Sequence, residues 1–402
     1  MTDRIYYTDP GCRTFDDRVG RAFEHEGRPA VTLDRTAFYP SSGGQLFDTG
    51  RLGAVNVLET VDAGDEVIHV LSAALAEGAV VAGEIDWVRR FDHMQQHTGQ
   101  HVLSAAFDRL FDNRTVGFHM GGFHMGAGES TIDLAREAPP VHVEQAVDEA
   151  NRVVWENRPV SIRFVSQAEA AALPLRKESA REGTIRLIDI SGFDLSACGG
   201  THVDRTGAVG VIAALSAERL RGGARLTFVC GGRALRALRI YRDAVAGSVR
   251  VLSVLAGDLP AAVERVQEES RDLRKQIKGL QETLAAHEGT RLIEAAPEVG
   301  GVRLLVQVID GWDAAGLKAL AAAAASGARA CVVLVTPLPP ASIVVACSAG
   351  GAVDAGDVVR QLTSRFGGRG GGRPALAQGG GLAAPVEEIV SAARALLESA
   401  LQ

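Results

Sequence analysis

Two short segments, far apart in the chain, carry side chains that could hold a metal ion: His97-Thr-Gly-Gln-His101 and Cys198-Gly-Gly-Thr-His202. Residues four apart on a helix share a face, so two imidazoles at that spacing can reach one cation. His93 stands four before His97, and spacing alone admits a 93/97 pair as readily as a 97/101 pair. In the second segment, two glycines between thiol and imidazole permit a tight turn that aims both at one point. A thiolate with imidazoles is a borderline-soft donor set suited to zinc, and three histidines with one cysteine would sit at tetrahedral distances. The plain alternative is a buried thiol beside unrelated histidines. A zinc peptidase is disfavoured, because its helix needs glutamate after the first histidine and positions 98–100 are Thr, Gly and Gln.

The elements that must position these groups are legible in outline. The first ~90 residues alternate short apolar runs with Gly, Pro and Asp breaks, as in Ala54-Val-Asn-Val-Leu58, which predicts a small β-barrel or sandwich. Residues 92–111 turn to helical spacing and carry the histidines; a second helix is expected over 143–156, ending before Arg158-Pro159. Strand-like runs follow at 161–165, 184–190, 210–215 and 225–230, with a basic turn over 219–225 and a row of Arg233, Arg236 and Arg239. From Leu259, positions at alternating four- and three-residue steps run through Val263, Val266, Ser270, Leu273, Ile277, Leu280 and Leu284, apolar at all but Ser270. That is a heptad seam, fit for a coiled coil between two chains or a hairpin within one. Apolar runs at 304–309, 330–335 and 342–346 around an Ala-rich helix predict a small α/β domain. The fold expected is therefore α+β and multidomain: a β-barrel over 1–90, a zinc-binding domain over 91–245, a helical coiled-coil linker over 246–295 and an α/β domain over 296–402.

The tail of that last domain reads Phe366-Gly-Gly-Arg-Gly-Gly-Gly-Arg373. Such glycine density usually marks a linker. The regular Arg365, Arg369 and Arg373 argue for phosphate contacts instead, since Gly-rich backbone amides and guanidinium groups both bind them. The net charge of −7 excludes global attraction to polyanions but leaves room for local basic surfaces. Five cysteines without framework spacing argue against structural disulfides. No signal peptide and no apolar run of about 18–20 residues is present, so a cytoplasmic protein is expected.

Four ordered motifs carry a resemblance: Thr36-Ala-Phe-Tyr-Pro-Ser-Ser-Gly-Gly-Gln45, the segment from Arg90 through His101, Ser191-Gly-Phe-Asp-Leu-Ser-Ala-Cys-Gly-Gly-Thr-His202, and the Gly/Arg tail. Together they resemble the editing domain of alanyl-tRNA synthetase and its free-standing relatives, the AlaX-type trans-editing proteins. The last hundred residues look like the domain that follows the coiled coil in the synthetase and in DHH-type phosphoesterases. The resemblance selects His97 and His101 over His93 and joins them to Cys198 and His202 as one zinc site. It implies hydrolysis of the ester between serine or glycine and the 3′ end of tRNA for alanine. A pocket shaped for alanine cannot exclude glycine by size and rejects one added hydroxyl poorly, so a second hydrolytic site is needed. Thr36, at the family's threonine position, becomes the candidate partner for the serine hydroxyl, and Gln45 a candidate for orienting water or substrate. Because the barrel-like stretch starts near residue 1, the free-standing form is expected rather than the full synthetase. A tRNA-binding zinc protein without hydrolytic activity is the alternative, and a homodimer through the heptads is expected in either case.

One departure from the pattern stands out. Residues 117–121, Gly-Phe-His-Met-Gly, are repeated at once over 122–126, and the sequence does not say which copy holds the family position.

Overall fold

The computed structural model describes residues 1–121, 128–177, 183–220, 222–327, 329–348, 350–351 and 353–402. They form two compact units, Met1–Gly247 and Ser248–Gln402.

The first unit opens with eight strands: β1 (Asp3–Arg4), β2 (Thr14–His25), β3 (Arg28–Leu33), β4 (Arg35–Thr36), β5 (Gly50–Leu52), β6 (Val55–Ala63), β7 (Glu66–Leu71) and β8 (Val80–Ile85). Six of them close a barrel in the order β2-β3-β7-β6-β5-β8, while β1 and β4 make a separate parallel pair. Period-two burial along β8, with Val81, Gly83 and Ile85 inside, shows the alternation that a barrel wall requires. Helix α1 (Trp87–Phe111) follows directly. It starts five residues earlier than apolar spacing predicted, because Asp86 caps it by accepting the Arg89 backbone N–H at 3.2 Å.

Against α1 pack β9 (Thr115–Met120), β10 (Ser130–Leu134) and α2 (Pro140–Trp155). Next come β11 (Val160–Val165), α3 (Gln167–Ala171), β12 (Ile185–Ile190), β13 (Asp194–Ala197), β14 (Ile212–Leu220) and β15 (Gly223–Cys230). They build a four-stranded sheet, β14-β15-β10-β9, and a three-stranded one, β11-β12-β13. Phe107, Val102, Leu103, Ile132, Phe228 and Val153 share one core between α1, α2 and the larger sheet. The first Gly-Phe-His-Met-Gly copy forms β9, with Phe118 opposite Ile132; the second copy lies outside the described residues.

Two sequence expectations need correction here. The basic turn is mostly hairpin, with Arg225 held by Asp133 at 2.7 and 2.9 Å and Arg219 by Glu137 at 3.1 Å. Arg233, Arg236 and Arg239 do not form one evenly exposed row: Arg239 is exposed and Arg233 is not. Arg233 is fully buried, pairs with Asp92 and donates to the carbonyls of Gly121 and Gly128. A guanidinium's five donors suit it to tie a helix, a carboxylate and two loop ends together.

Helix α4 (Gly231–Leu252) leads to the second unit, which contains α5 (Leu259–Glu294), β16 (Glu298–Val299), β17 (Val302–Val308), α6 (Ala314–Ala324), β18 (Ala330–Val335), β19 (Ala341–Cys347), α7 (Ala355–Phe366), β20 (Arg369–Arg373), β21 (Leu376–Leu382) and α8 (Val386–Leu401). Its sheet runs β16-β17-β18-β19-β21-β20. Apart from Ala262 in the first turn, the buried residues of α5 lie in its C-terminal third, where Ala285, Leu292 and Ile293 pack with Leu317 and Leu320 of α6. The heptad residues Leu273, Ile277 and Leu280 remain exposed.

The Gly-rich tail is neither linker nor loop. It is the edge strand β20, paired residue for residue with β21. A Cβ on Gly370 would lie 2.6 Å from both Gln378 O and Val359 Cγ1, so glycine admits the close approach of α7 and β21. Gly371, one residue on, has open space, and alternation puts Arg369 and Arg373 on that open face with it. Among the described residues no single helix is long and apolar enough to cross a membrane, and all five cysteines are free.

Candidate metal centre

His97 and His101 project from the middle of α1; Cys198 and His202 come from the loop after β13. Their donor atoms all lie within 4.8 Å of one another. Cys198 Sγ is 3.4 Å from Nε2 of both His97 and His202. Two ligands at zinc-nitrogen and zinc-sulfur bond lengths, set at the tetrahedral angle, would be separated by about 3.6 Å. The donor set therefore fits one zinc ion without rearrangement.

What surrounds the four side chains fits the same purpose. His97 Nδ1–H donates to Gln45 Oε1 at 2.8 Å, His101 Nδ1–H to Asp194 Oδ2 at 3.0 Å, and His202 Nδ1–H to Thr98 Oγ1 at 3.2 Å. Each outer partner fixes a ring and its tautomer, leaving Nε2 of all three rings for the ion. Burial pushes the Cys198 thiol up, but His97 and His202 outweigh it and hold the sulfur well below its ordinary pKa, as a thiolate. Burial likewise pushes the Asp194 carboxyl up, yet His101 and Arg176 hold it below the usual carboxylate range. Arg176 donates to both of its oxygens, at 2.6 and 3.0 Å.

Glycine at 200 is a matter of space more than of turning. A Cβ there would stand 2.1 Å from His97 Cε1, so the loop can close on the ring only without a side chain. Gly44 has φ +84°, and a Cβ on it would meet the Phe118 carbonyl oxygen at 2.7 Å. That turn delivers Gln45 to the cluster.

His93 stays out of the centre. It is fully buried and neither ring nitrogen has a hydrogen-bond partner among the described residues. Burial, with the guanidiniums of Arg89 and Arg233, pushes its pKa down to about 2 and keeps it neutral.

Gln45 and Thr36 are both buried. Gln45 Oε1 also accepts the Thr201 N–H at 3.0 Å, and Nε2 donates to Thr201 Oγ1 at 2.8 Å. Its Oε1 and one Nε2–H are thus engaged by His97 and by Thr201 of the ligand loop. Thr36 is buried inside the barrel, where its hydroxyl meets His69 Nε2 at 2.8 Å and accepts the Phe38 N–H at 3.1 Å. Neither residue lines the cavity over the cluster. That cavity holds about 570 Å³, and His97, His101 and Cys198 form part of its wall. Arg365, Arg369 and Arg373 belong to the second unit, at the end of α7 and on β20, and are exposed.

Asp194, Thr98 and Thr201 were missed by spacing arguments. Asp194 lies four residues before Cys198 and Thr98 sits inside the His-x-x-x-His motif, so proximity to the ligands was the one available signal.

Comparison with known proteins agrees with the geometry. Residues 301–399 match the DHHA1 domain, and residues 185–225 match the threonyl and alanyl tRNA synthetase second additional domain. The chain is 34% identical to the alanine–tRNA ligase of Halorubrum lacusprofundi over 393 residues, 94% of this chain and 42% of the relative. The ligase of Pyrococcus furiosus is 32% identical over 393 residues, again 94% of this chain and 42% of the relative. The chain thus spans about four tenths of the length of these ligases. Against the alanyl-tRNA editing protein AlaX-L of Pyrococcus horikoshii, identity is 31% over 416 residues, covering 100% of both chains. Among solved structures, the C-Ala domain of Aquifex aeolicus alanyl-tRNA synthetase is 28% identical, covering 26% of this chain and 96% of that one with a TM-score of 0.24. With full-length correspondence to AlaX-L and the synthetase-type domain over the metal-ligand loop, the chain belongs to the family of alanyl-tRNA editing proteins.

Proposed function

We propose that this protein is an aminoacyl-tRNA hydrolase that removes serine or glycine from tRNA for alanine at a zinc-containing site. The observation that carries it is the four-ligand cluster with its tautomer-fixing outer partners, open on one side to a cavity. In the reaction water adds to the ester carbonyl, the carbon–oxygen bond to the ribose breaks, and amino acid and 3′-hydroxyl tRNA leave. Zinc held by these side chains would supply Lewis-acid attraction to an ester or ribose oxygen. The chain's own part is to hold that oxygen in place. Gln45, Thr98 and Asp194 orient the ligand rings, and Thr36 braces the following loop through the Phe38 N–H.

Exposed Arg369 and Arg373, on the open face of β20, and Arg365 beside them would contact the tRNA backbone, which makes binding fall with salt. Two copies would pair through the exposed seam of α5, and a monomer in sedimentation velocity would exclude this. A charged-tRNA substrate implies work in the cytoplasm.

The decisive assay incubates the protein with seryl-tRNA for alanine, using alanyl-tRNA as control. Release of serine with the control intact supports editing. Protection of the ester would replace it with a non-hydrolytic tRNA-binding role. Full activity of a zinc-free Cys198→Ala protein would end any zinc-dependent account.

A further inference from the structure

Four cations line the cavity over the cluster, Arg114, Arg176, Lys177 and Arg186, and no carboxylate joins them among the described lining residues. That is a local reversal of sign in a chain of net charge −7. Two of the four need no further partner or are cheap to leave without one. Arg176 is neutralised by Asp194, and the Arg114 side chain is 76% exposed, with Asp108 at 3.9 Å. Lys177 is exposed at the rim.

Arg186 differs from all three. Only 8% of its surface is exposed, and no carboxylate pairs with it among the described residues. Nε donates to the Tyr7 carbonyl at 2.8 Å and Nη1 to the Cys198 carbonyl at 2.6 Å, with the guanidinium 5.6 Å from the Tyr7 ring centre. Nη2 is buried and has no hydrogen-bond partner among the described residues. A guanidinium does not shed its proton in a protein, and a buried cation without an anion is costly. Pinning the Cys198 loop to Tyr7 uses Nε and Nη1 only. The unused donor and a charge that no described carboxylate compensates face the same need, a permanent anion entering the cavity. A neutral ester carbonyl would satisfy the donor but not the charge; a phosphate satisfies both.

We propose that Arg186 is a substrate-binding residue whose Nη2 takes a non-bridging oxygen of the phosphodiester preceding the terminal nucleotide of an RNA 3′ end. Lys177 and Arg114 follow the strand out at the rim, and Phe164, half-exposed at the same wall, offers a face to an unpaired base. Naming the RNA 3′ end rests on the deacylase function proposed above; the demand for an anion does not.

The test is a binding cycle with zinc-loaded protein and an uncharged RNA minihelix ending in CCA. Wild type and Arg186→Gln are each titrated with the natural strand and with one carrying a neutral methylphosphonate at the last linkage. Each change alone should weaken binding about 10–100-fold, the worth of a charge-assisted hydrogen bond, and the two together should lose little more. Additive losses would overturn the proposal, as would a fall in kcat with unchanged KM in deacylation, which would assign Arg186 to the ester oxyanion. Arg186→Lys, which keeps the charge but not the fork, should recover part of the affinity. If Arg186→Gln does not fold, moving the methylphosphonate to the next linkage on wild type serves instead, and equal losses at both linkages would refute a single buried contact. Because the RNA is uncharged, absence of deacylation leaves this outcome unaffected.

Discussion

Replacing Gln45 with methionine probes how the ligand cluster is held. Methionine matches glutamine in length and fills the same space, but it removes one amide that makes three buried bonds: from His97 Nδ1–H at 2.8 Å, from Thr201 N–H at 3.0 Å, and to Thr201 Oγ1 at 2.8 Å. The Thr201 N–H, buried with its residue, then has no partner. One unsatisfied buried donor costs about 1–3 kcal/mol, and with the lost hydroxyl bond we expect about 2–3 kcal/mol in all. For a unit of this size that lowers the melting temperature by about 4–12 °C. The second consequence is more specific. Without its acceptor the His97 ring is free to turn or change tautomer, and loss of such outer partners weakens metal binding about 10–100-fold. Competition for zinc against a chelating indicator, on wild type, Gln45→Met and Gln45→Glu, separates the two effects. Glutamate keeps the acceptor for His97, so its zinc affinity should stay near that of wild type. Unchanged zinc affinity in Gln45→Met, even with a lower melting temperature, would refute the claim that Gln45 orients the ligand.

Three further outcomes are expected. Asp48→Ala should cost about 3–5 kcal/mol in denaturant unfolding, because it leaves the fully buried Arg90 guanidinium without its anion; a loss below 1 kcal/mol would mean that water reaches Arg90. Burial pushes the pKa of His69 down to about 4, so the unfolded chain binds a proton there that the folded one refuses. Stability from this residue is complete above the unfolded pKa near 6.5 and lost as pH falls toward 4, up to about 3 kcal/mol; His69→Gln should flatten the pH 4–6.5 slope, and an identical slope would show that His69 charges in place. Finally, Gly370→Ala should destabilise the second unit by about 1–3 kcal/mol through its backbone clash, while Gly371→Ala should change it by less than about 0.5 kcal/mol. Equal effects in thermal melts would contradict the assigned faces of β20.

How far the sequence reached differs by element. The imidazole pair on α1 and the heptads of α5 were readable because helical periodicity is local: the residues that share a face are three or four apart. The Gly/Arg tail misled for the complementary reason. Glycines give no apolar alternation, so β20 became visible as a strand only when β21 lay beside it and α7 above it. Arg233 showed the same limit, since nothing within its helix reveals that Asp92 waits across the fold to pair with it.

At the metal centre, sequence alone determined the donor types and the two spacings, and the resemblance built on them chose His97 over His93. Tertiary structure decided the rest. It buried Gln45 and Thr36, recruited Asp194 and Thr98 to hold the rings, and left Arg186 Nη2 buried without a partner among the described residues. The physical reason is that ligand identity is a property of single residues, whereas hydrogen-bond saturation and charge compensation depend on which distant groups share a dry space. Those partners are set by packing between α1, the ligand loop and the barrel, and no local pattern records them.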